Sequence, residues 1–250
     1  MTYCIGMLLD DGLVFLSDSR TNAGVDHINT FRKVTLYERA GDRVMVMLSS
    51  GNLAVTQALA STLREHLSNE EGAPNLWNVP NMFEGARHIG DCLRAVHERD
   101  APALKRHNIE FNAALIFGGQ IRGEVPRLFH IYAAGNFIEA TPETPYFQIG
   151  ESKYGKPILD RVLTSATPLA EASKCALISM DSTIRSNLSV GLPLDLVCVQ
   201  RDDLRVFKHI NIDAANPYYT MIHTLWGQRL RQIFAELPDP DWLVPFSDQL

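Results

Sequence analysis

The second residue of the chain is the first candidate for chemistry. Initiator methionine is normally removed when a small residue follows it, so we expect Met1 to be cleaved and the mature chain to begin at Thr2. An N-terminal threonine combines a nucleophile and a base, because its hydroxyl attacks while its own α-amino group takes the proton, directly or through a water. An α-amino group titrates near ~7.7–8.0, so about a tenth of it is neutral at pH 7. Since a small residue here also satisfies the trimming rule alone, further residues must decide.

A predicted hairpin brings polar side chains back to the chain start. Two apolar runs flank Asp11-Gly12, a residue pair that strongly favours a two-residue turn. With this turn, Ile5 faces Asp18 and Thr2 faces Thr21. The returning strand therefore carries three polar residues towards the start of the chain: Asp18, Arg20 and Thr21.

A second hairpin is predicted to bring a lysine and a glycine to the same region. Its strands are residues 33–38 and 43–50, and folding about Gly41 places Lys33 opposite Ser49 to Gly51. Gly51 is then the last residue before a helix predicted over residues 52–68. A lysine, a glycine and a helix N-terminus are therefore expected at one edge of a sheet.

The remaining chain alternates pairs of predicted helices with predicted strands. Residues 22–32 are expected to form a loop, and Gly118-Gly119 a turn. Further helices are expected at about residues 81–100, 168–186 and 217–236, and one more follows the segment 150–154 and ends at about residue 163. Further strands are expected at residues 111–117, 127–133, 137–140, 146–149, 194–200 and 204–210. This order predicts an α+β fold, a four-layer αββα sandwich of two antiparallel sheets. We expect one domain over residues 1–250, to which the last helix and tail (about 217–250) are an addition.

Composition excludes several classes of function. The net charge of −6, without a Lys/Arg cluster, argues against a surface for nucleic acid or an anionic membrane. The four cysteines lie without metal-ligand spacing and are expected to be buried thiols of a reducing compartment. Because no basic leader and no apolar run of membrane length occurs, we expect a cytoplasmic protein. The eight histidines show no HxH or HxxxH spacing, and no metal, cofactor or phosphate-binding loop is predicted.

The first fifty residues resemble a known family. The segments TYCIGM, DDGLVFLSDSR, FRK and SSGNLA are similar to the start of a proteasome-type β-subunit, a member of the N-terminal nucleophile hydrolases. The segment DSRTNAGVDHINTFRK and the extended last helix most resemble the bacterial branch called Anbu, the ancestral β-subunit. The resemblance extends from Thr2 to about Ile233, and its specific part is the first fifty residues.

The resemblance implies roles for four residues. Thr2 matches the catalytic threonine, and Asp18 and Lys33 match an aspartate–lysine pair beside it. Such a cation favours a neutral amine and stabilises a developing alkoxide. Gly51 matches the residue whose backbone N–H points at the oxyanion. The alternative without catalysis is a structural Asp–Lys pair and a glycine that merely precedes a helix.

Supporting positions follow from the same resemblance. Arg20 and Thr21 match positions beside the nucleophile, and Thr21 is expected to border the channel where a peptide adds as a strand. Ser49 occupies a position that lines the first specificity pocket in the family.

Two positions depart from the family pattern. Glu151 stands where the family usually has a serine, with Ser152 one residue further on. Asn187 takes the place of an aspartate, and Ser189 or Val190 that of a serine. Because asparagine accepts a hydrogen bond but supplies no charge, activation of the threonine could differ from that of the family.

The sequence therefore predicts a threonine peptidase that cuts peptides or unfolded proteins inside a self-compartmentalised homo-oligomer, a ring or spiral. The resemblance to Anbu implies an open, helical-type assembly. Any energy-dependent unfolding would need a separate ATP-driven unfoldase as partner. Two alternatives remain open: an assembly protein with little or no hydrolysis, and a small-molecule amidase of the same superfamily.

Overall fold

The structure is a computed structural model that describes residues 2–22, 28–68, 73–240 and 242. Its twelve strands are β1 (Tyr3–Leu9), β2 (Gly12–Asp18), β3 (Arg20–Asn22), β4 (Ile28–Thr30), β5 (Val34–Arg39), β6 (Arg43–Gly51), β7 (Ala113–Ile121), β8 (Arg127–Ile131), β9 (Phe137–Glu139), β10 (Tyr146–Gly150), β11 (Leu194–Gln200) and β12 (Lys208–Ile212). Its five helices are α1 (Leu53–Ser68), α2 (Met82–Arg106), α3 (Lys156–Val162), α4 (Leu169–Ser186) and α5 (Pro217–Glu236). In the part of the chain so described, none of the helices has the length and apolar character needed to span a membrane.

Ten of the strands form two antiparallel five-stranded sheets. The first sheet has the order β10-β1-β2-β11-β12 and the second the order β5-β6-β7-β8-β9, while β3 and β4 pair in a separate ribbon. Side chains alternate between the two faces of each strand, so every inner strand contributes to two cores. This explains why β1 and β2 are apolar on both faces.

Three buried cores hold the layers together. The core between the sheets contains Phe15, Val46 and Ile116, all fully buried. Helices α1 and α2 cover the outer face of the second sheet, and α3 and α4 cover that of the first, with α5 packed beside α4. The predicted α+β sandwich of four layers, helix–sheet–sheet–helix, is thereby confirmed.

The predicted register of the first hairpin is wrong by two residues. Leu9 pairs with Gly12, so Asp10 and Asp11 form the turn, and Ile5 faces Leu16 rather than Asp18. The reason lies in Gly12, which pairs with Gln200 of β11 and has φ +141. A Cβ on Gly12 would lie 2.1 Å from the carbonyl oxygen of Val199, so this glycine serves close packing between strands.

Other boundaries also differ from prediction. Gly118-Gly119 is not a turn but lies inside β7. Glycine suits position 118 of this strand because a side chain there would meet Leu128. Strand β12 begins four residues later than predicted, and Asp202 and Leu204 before it adopt positive φ. The predicted loop 22–32 contains β4 and the last residue of β3, although residues 23–27 lie outside the described residues. Helix α2 continues to Arg106 with Pro102 inside it.

Candidate active site

The start of the described chain is fixed against the end of β10. The backbone carbonyl of Thr2 accepts a hydrogen bond from the Glu151 N–H at 2.7 Å. Between these residues, Gly150 has φ +82, and a Cβ there would lie 1.9 Å from the Thr2 carbonyl oxygen. Position 150 must therefore be glycine for Thr2 to lie where it does. The side chain of Thr2 remains partly accessible.

Asp18 ends β2 as a fully buried carboxylate beside the chain start. Its Oδ1 accepts the backbone N–H of Tyr3 at 3.0 Å and lies 2.7 Å from Lys33 Nζ. Burial raises the pKa of Asp18, while the charge of Lys33 and backbone amides, including that of Tyr3, oppose the rise. At this distance the buried carboxylate and ammonium form an ion pair. The attraction between the two charges offsets part of the free-energy cost of removing each from water.

Lys33, the residue before β5, is held by hydrogen bonds to its side-chain ammonium and to its backbone carbonyl. Its ammonium donates to the Arg20 carbonyl at 2.7 Å, in addition to its contact with Asp18. Its own carbonyl accepts the backbone N–H of Ser49 at 3.0 Å, as the predicted hairpin requires. Because Lys33 is only 8% exposed, solvent screens its charge little, and these contacts fix the position of its ammonium group.

Gly51 closes β6 immediately before α1. It has φ +110, and a Cβ would lie 2.3 Å from the carbonyl oxygen of Asn112. The next residue, Asn52, caps the helix, since its side chain accepts the Ala54 N–H at 3.0 Å. Gly51 and the helix N-terminus therefore meet at one sheet edge, with Lys33 in the same cleft, as the sequence predicts. The positive end of the helix dipole lies at this point.

One cleft joins four of the predicted site residues. It encloses about 100 Å³ and is lined in part by Thr2, Lys33, Ser49 and Gly51. Asp18 is absent from this lining, because it lies beneath the lysine in the protein interior. The other lining residues are Phe31, Arg32, Thr35, Met47, Ser50, Leu53, Thr56, Gln57 and Ala60.

None of these nine other lining residues was predicted as a site residue, and for two of them, Thr35 and Met47, the sequence held a usable signal. Thr35 lies two residues after Lys33, which directly precedes β5, and Met47 lies two residues before Ser49 on β6. Since side chains two apart on a strand share a face, the alternation of the hairpin was the signal that could have found both.

The structure places the backbone of Arg20 and Thr21 beside the site, and the described side chain of Arg20 does not line the cleft. Arg20 contributes its backbone carbonyl to Lys33, while its guanidinium donates to the Leu188 carbonyl at 3.0 Å. That guanidinium lies against Gly191, where any side chain would collide with it. Thr21 pairs with Asn29 in the β3–β4 ribbon, and its side chain lies outside the described part of the chain.

The two departures from the family pattern contact each other. The buried carboxylate of Glu151 accepts a hydrogen bond from Asn187 Nδ2 at 3.1 Å. Asn187 Oδ1 in turn accepts the backbone N–H of Ser189 at 2.9 Å. The carbonyl of Ser152 accepts the Lys156 N–H in the first turn region of α3, at 3.2 Å. Within this network, Glu151 is the residue that also contacts Thr2, through its backbone N–H.

Comparison with protein-family models and with curated protein sequences gave no match. Among solved structures, the chain is similar to Anbu (ancestral beta-subunit) from Yersinia bercovieri, with 54% identity, 96% of this chain and 99% of that chain covered, and a TM-score of 0.90. The chain belongs to the Anbu family. Anbu from Hyphomicrobium sp. strain MC1 is 49% identical over 96% of this chain and 99% of that chain, with a TM-score of 0.87. A structure described as the helical assembly of the Anbu complex from Pseudomonas aeruginosa is 44% identical over 99% and 100% of the two chains, with a TM-score of 0.91.

Membership of the Anbu family confirms the resemblance found in the first fifty residues. It makes the chain a proteasome-like member of the N-terminal nucleophile hydrolases, in agreement with the stacked sheets and outer helices. The likeness covers nearly the whole chain, so the later elements, which carried weaker sequence signals, belong to the same fold.

Proposed function

We propose that this Anbu protein is a threonine peptidase whose nucleophile is the hydroxyl of Thr2, freed as the chain N-terminus by removal of Met1. The observation that carries the proposal is the buried Asp18–Lys33 pair beneath a cleft that Thr2, Lys33 and Gly51 share. A solely structural ion pair would not need to lie beside a cleft that is also lined by a threonine and a helix N-terminus.

In the proposed reaction, Thr2 Oγ attacks the carbonyl carbon of the scissile amide, and the α-amino group takes the hydroxyl proton. The resulting oxyanion accepts the Gly51 N–H, supported by the N-terminus of α1. The ammonium then returns the proton to the leaving amine as the carbon–nitrogen bond breaks. Water, deprotonated by the same amine, hydrolyses the ester that remains on Thr2.

Lys33 tunes this chemistry through its charge. A fixed ammonium near the α-amino group favours the neutral, proton-accepting form of that amine, and it stabilises an alkoxide on Thr2. Asp18 acts as a positioning residue, since its two contacts at 2.7 and 3.0 Å hold the lysine against the chain start. In this proposal Ser49, Thr35 and Met47 form the wall that meets the substrate side chain.

The test combines intact mass with a covalent probe. We expect the purified protein to have lost Met1, and an epoxyketone to add to Thr2 in a peptide map. Thr2→Val should abolish labelling, whereas Thr224→Val, on α5 and far along the chain, should label like wild type. Labelling that survives in Thr2→Val, or native protein that retains Met1 in every copy, would refute the proposal. Digestion of a peptide library separates peptidase from small-molecule amidase, since only a peptidase releases fragments.

A weakly active assembly protein is the second candidate, and the Glu151–Asn187 contact favours it. A buried carboxylate 3.1 Å from an asparagine replaces the serine and aspartate that the family usually has. If Met1 is removed and the epoxyketone still leaves Thr2 unmodified, this second function is favoured over the first.

We also propose that the protein self-assembles into an open spiral. The Pseudomonas aeruginosa structure is described as a helical assembly of Anbu. In the present chain, α5 exposes large apolar side chains such as Leu230, Ile233 and Phe234, and an uncovered apolar face of this kind marks a protein interface. Light scattering and electron microscopy should show assemblies in wild type that Phe234→Lys reduces to smaller species.

The four buried, free cysteines fit a reducing compartment, which we take to be the cytoplasm.

A further inference from the structure

A cluster of three metal-binding side chains lies between α1 and α2, on the outer face of the second sheet. His66 lies in the last turn of α1. His88 and Cys92 lie one turn apart on α2, so both project from one face of that helix. Because the three residues come from two helices, the spacing of histidines along the sequence does not indicate the cluster.

The separations of the three ligand atoms match the edges of a coordination tetrahedron. His66 Nδ1 lies 3.4 Å from His88 Nε2, and Cys92 Sγ lies 3.6 and 3.7 Å from those two nitrogens. Tetrahedral zinc with bonds of ~2.0–2.1 Å to nitrogen and ~2.3 Å to sulfur puts its ligand nitrogens ~3.3–3.4 Å apart and a nitrogen and a sulfur ~3.5–3.6 Å apart. Hydrogen bonds from N–H are usually shorter, near ~2.9–3.0 Å. The nitrogen–nitrogen edge therefore fits shared ligation better than a direct hydrogen bond.

The surroundings of the cluster also suit a metal ion. Cys92 is only 4% exposed, and both histidines are partly buried on rigid helices, so little ordering is needed on binding. A pocket of about 690 Å³ opens beside the three side chains and is also lined by Glu84 and Asp91. Three protein ligands with one open position are the arrangement found where a metal carries water or a small ligand.

We propose that His66, His88 and Cys92 bind one Zn²⁺ ion, with the fourth position open to this pocket. Thiolate and imidazole together select zinc over the hard cations, and the tetrahedral spacing agrees. The ion would tie the C-terminal end of α1 to α2. Since Leu53 to His66 spans ~20 Å along the helix, the metal is separate from the cleft at the N-terminal end of α1. The site thus goes beyond the proposed hydrolysis and does not depend on it.

Cobalt titration of the tag-free full-length protein tests the site. Co²⁺ bound here should give a thiolate-to-cobalt charge-transfer band and the intense visible bands of tetrahedral cobalt, saturating at one equivalent and displaced by Zn²⁺. Cys92→Ser should lose the charge-transfer band, and His88→Ala should lose the tetrahedral visible bands. Cys175→Ser, which changes a buried cysteine in the other helical layer, and His97→Ala, on the same helix, should both behave as wild type.

Thermal unfolding supplies a second readout that does not rely on a spectrum. Zn²⁺ should raise the Tm of wild type and of Thr2→Val equally, because ligands that bind only the folded state stabilise it. It should leave the Tm of Cys92→Ser and of His88→Gln unchanged, and circular dichroism establishes that these variants fold. Absence of a thiolate band in wild type overturns the proposal. A band that persists in folded Cys92→Ser, or a Zn²⁺ shift that persists in both ligand variants, does so as well.

Discussion

Asp18 and Lys33 are joined at 2.7 Å although the carboxylate is fully buried and the lysine nearly so. The two residues come from different sheets, Asp18 from the end of β2 and Lys33 from the residue before β5. The pair therefore links the two sheets at the edge where the candidate nucleophile lies. In a low-dielectric interior each charge is tolerated only because of the other.

Removing one partner of this pair should cost much stability. Lys33→Met leaves the Asp18 carboxylate buried without its counter-ion, and we expect a loss of about 3–5 kcal/mol in the free energy of unfolding. The double variant Asp18→Asn/Lys33→Met should recover part of this loss, because no uncompensated charge remains. Urea denaturation measures both variants. Neither should be labelled by the epoxyketone at the wild-type rate.

An exposed ion pair supplies the control for that measurement. Lys156 and Asp160 lie 2.8 Å apart on the surface of α3, and Lys156→Met should cost only about 0–1 kcal/mol. Equal stability losses in Lys33→Met and Lys156→Met would contradict the importance given to burial of the Asp18–Lys33 pair.

Two glycines with nearly equal φ allow the cost of a positive φ to be measured apart from the cost of a steric collision. Gly150 has φ +82 and Gly123 has φ +85, but a Cβ at 150 meets the Thr2 carbonyl whereas a Cβ at 123 meets nothing within 4 Å. Both Gly→Ala changes should therefore lose about 1–3 kcal/mol from the positive φ. Only Gly150→Ala should lose more and also slow labelling of Thr2. Equal labelling rates in the two variants would show that Gly150 does not set the position of Thr2.

The sequence predicted the pairing of Lys33 with Ser49 correctly but misplaced the register of the first hairpin. The Asp11-Gly12 pair favours a turn in isolation, yet Gly12 is needed where β2 presses against β11, a contact between residues far apart in sequence. The error did not move Asp18 to the other face, because a shift of two residues preserves side-chain alternation. Asp18 consequently contacts Tyr3 N–H rather than lying opposite Ile5, closer to Thr2 than predicted.

Long-range polar contacts explain the boundary that was missed before β12. The side chain of Gln120, in the second sheet, donates to Asp202 Oδ1 at 2.6 Å and accepts the Asp202 N–H at 2.8 Å. These bonds fix the turn at Asp202, and residues 204–207, which the sequence assigned to the strand, lie outside it. Local patterns carry no information about such a partner 82 residues away. The same holds for the contact between Glu151 and Asn187, which sequence reasoning noted only as two separate departures.

The contact of Glu151 with Asn187 predicts a coupled response to charge. Asn187→Asp would place two carboxylates near 3.1 Å apart. At pH 7 we therefore expect a loss of about 1–3 kcal/mol in the free energy of unfolding. The double variant Glu151→Ser/Asn187→Asp restores the serine and aspartate usual in the family and should regain stability. It should also label Thr2 faster than wild type. Additive effects in the double-mutant cycle would contradict direct interaction of these side chains.

His130 predicts a dependence of stability on pH. Its ring packs against Tyr132 and Phe147, and burial lowers its pKa from the ordinary value of 6.5. Between the folded and the ordinary value the unfolded chain binds more protons than the folded one, so stability falls as pH decreases below 6.5. The full contribution of neutral His130 is present above that value.

Substitution isolates this contribution from other titrating groups. His88 also has a lowered pKa, so the wild-type pH profile contains more than one histidine. Subtracting the profile of His130→Phe from that of wild type should leave a difference that grows as pH falls from 6.5 towards 5. His107→Phe, at an exposed position, should leave no such difference. Urea denaturation at several pH values measures each profile, and a His130→Phe profile parallel to wild type would show that the ring accepts its proton as easily in the fold as in the unfolded chain.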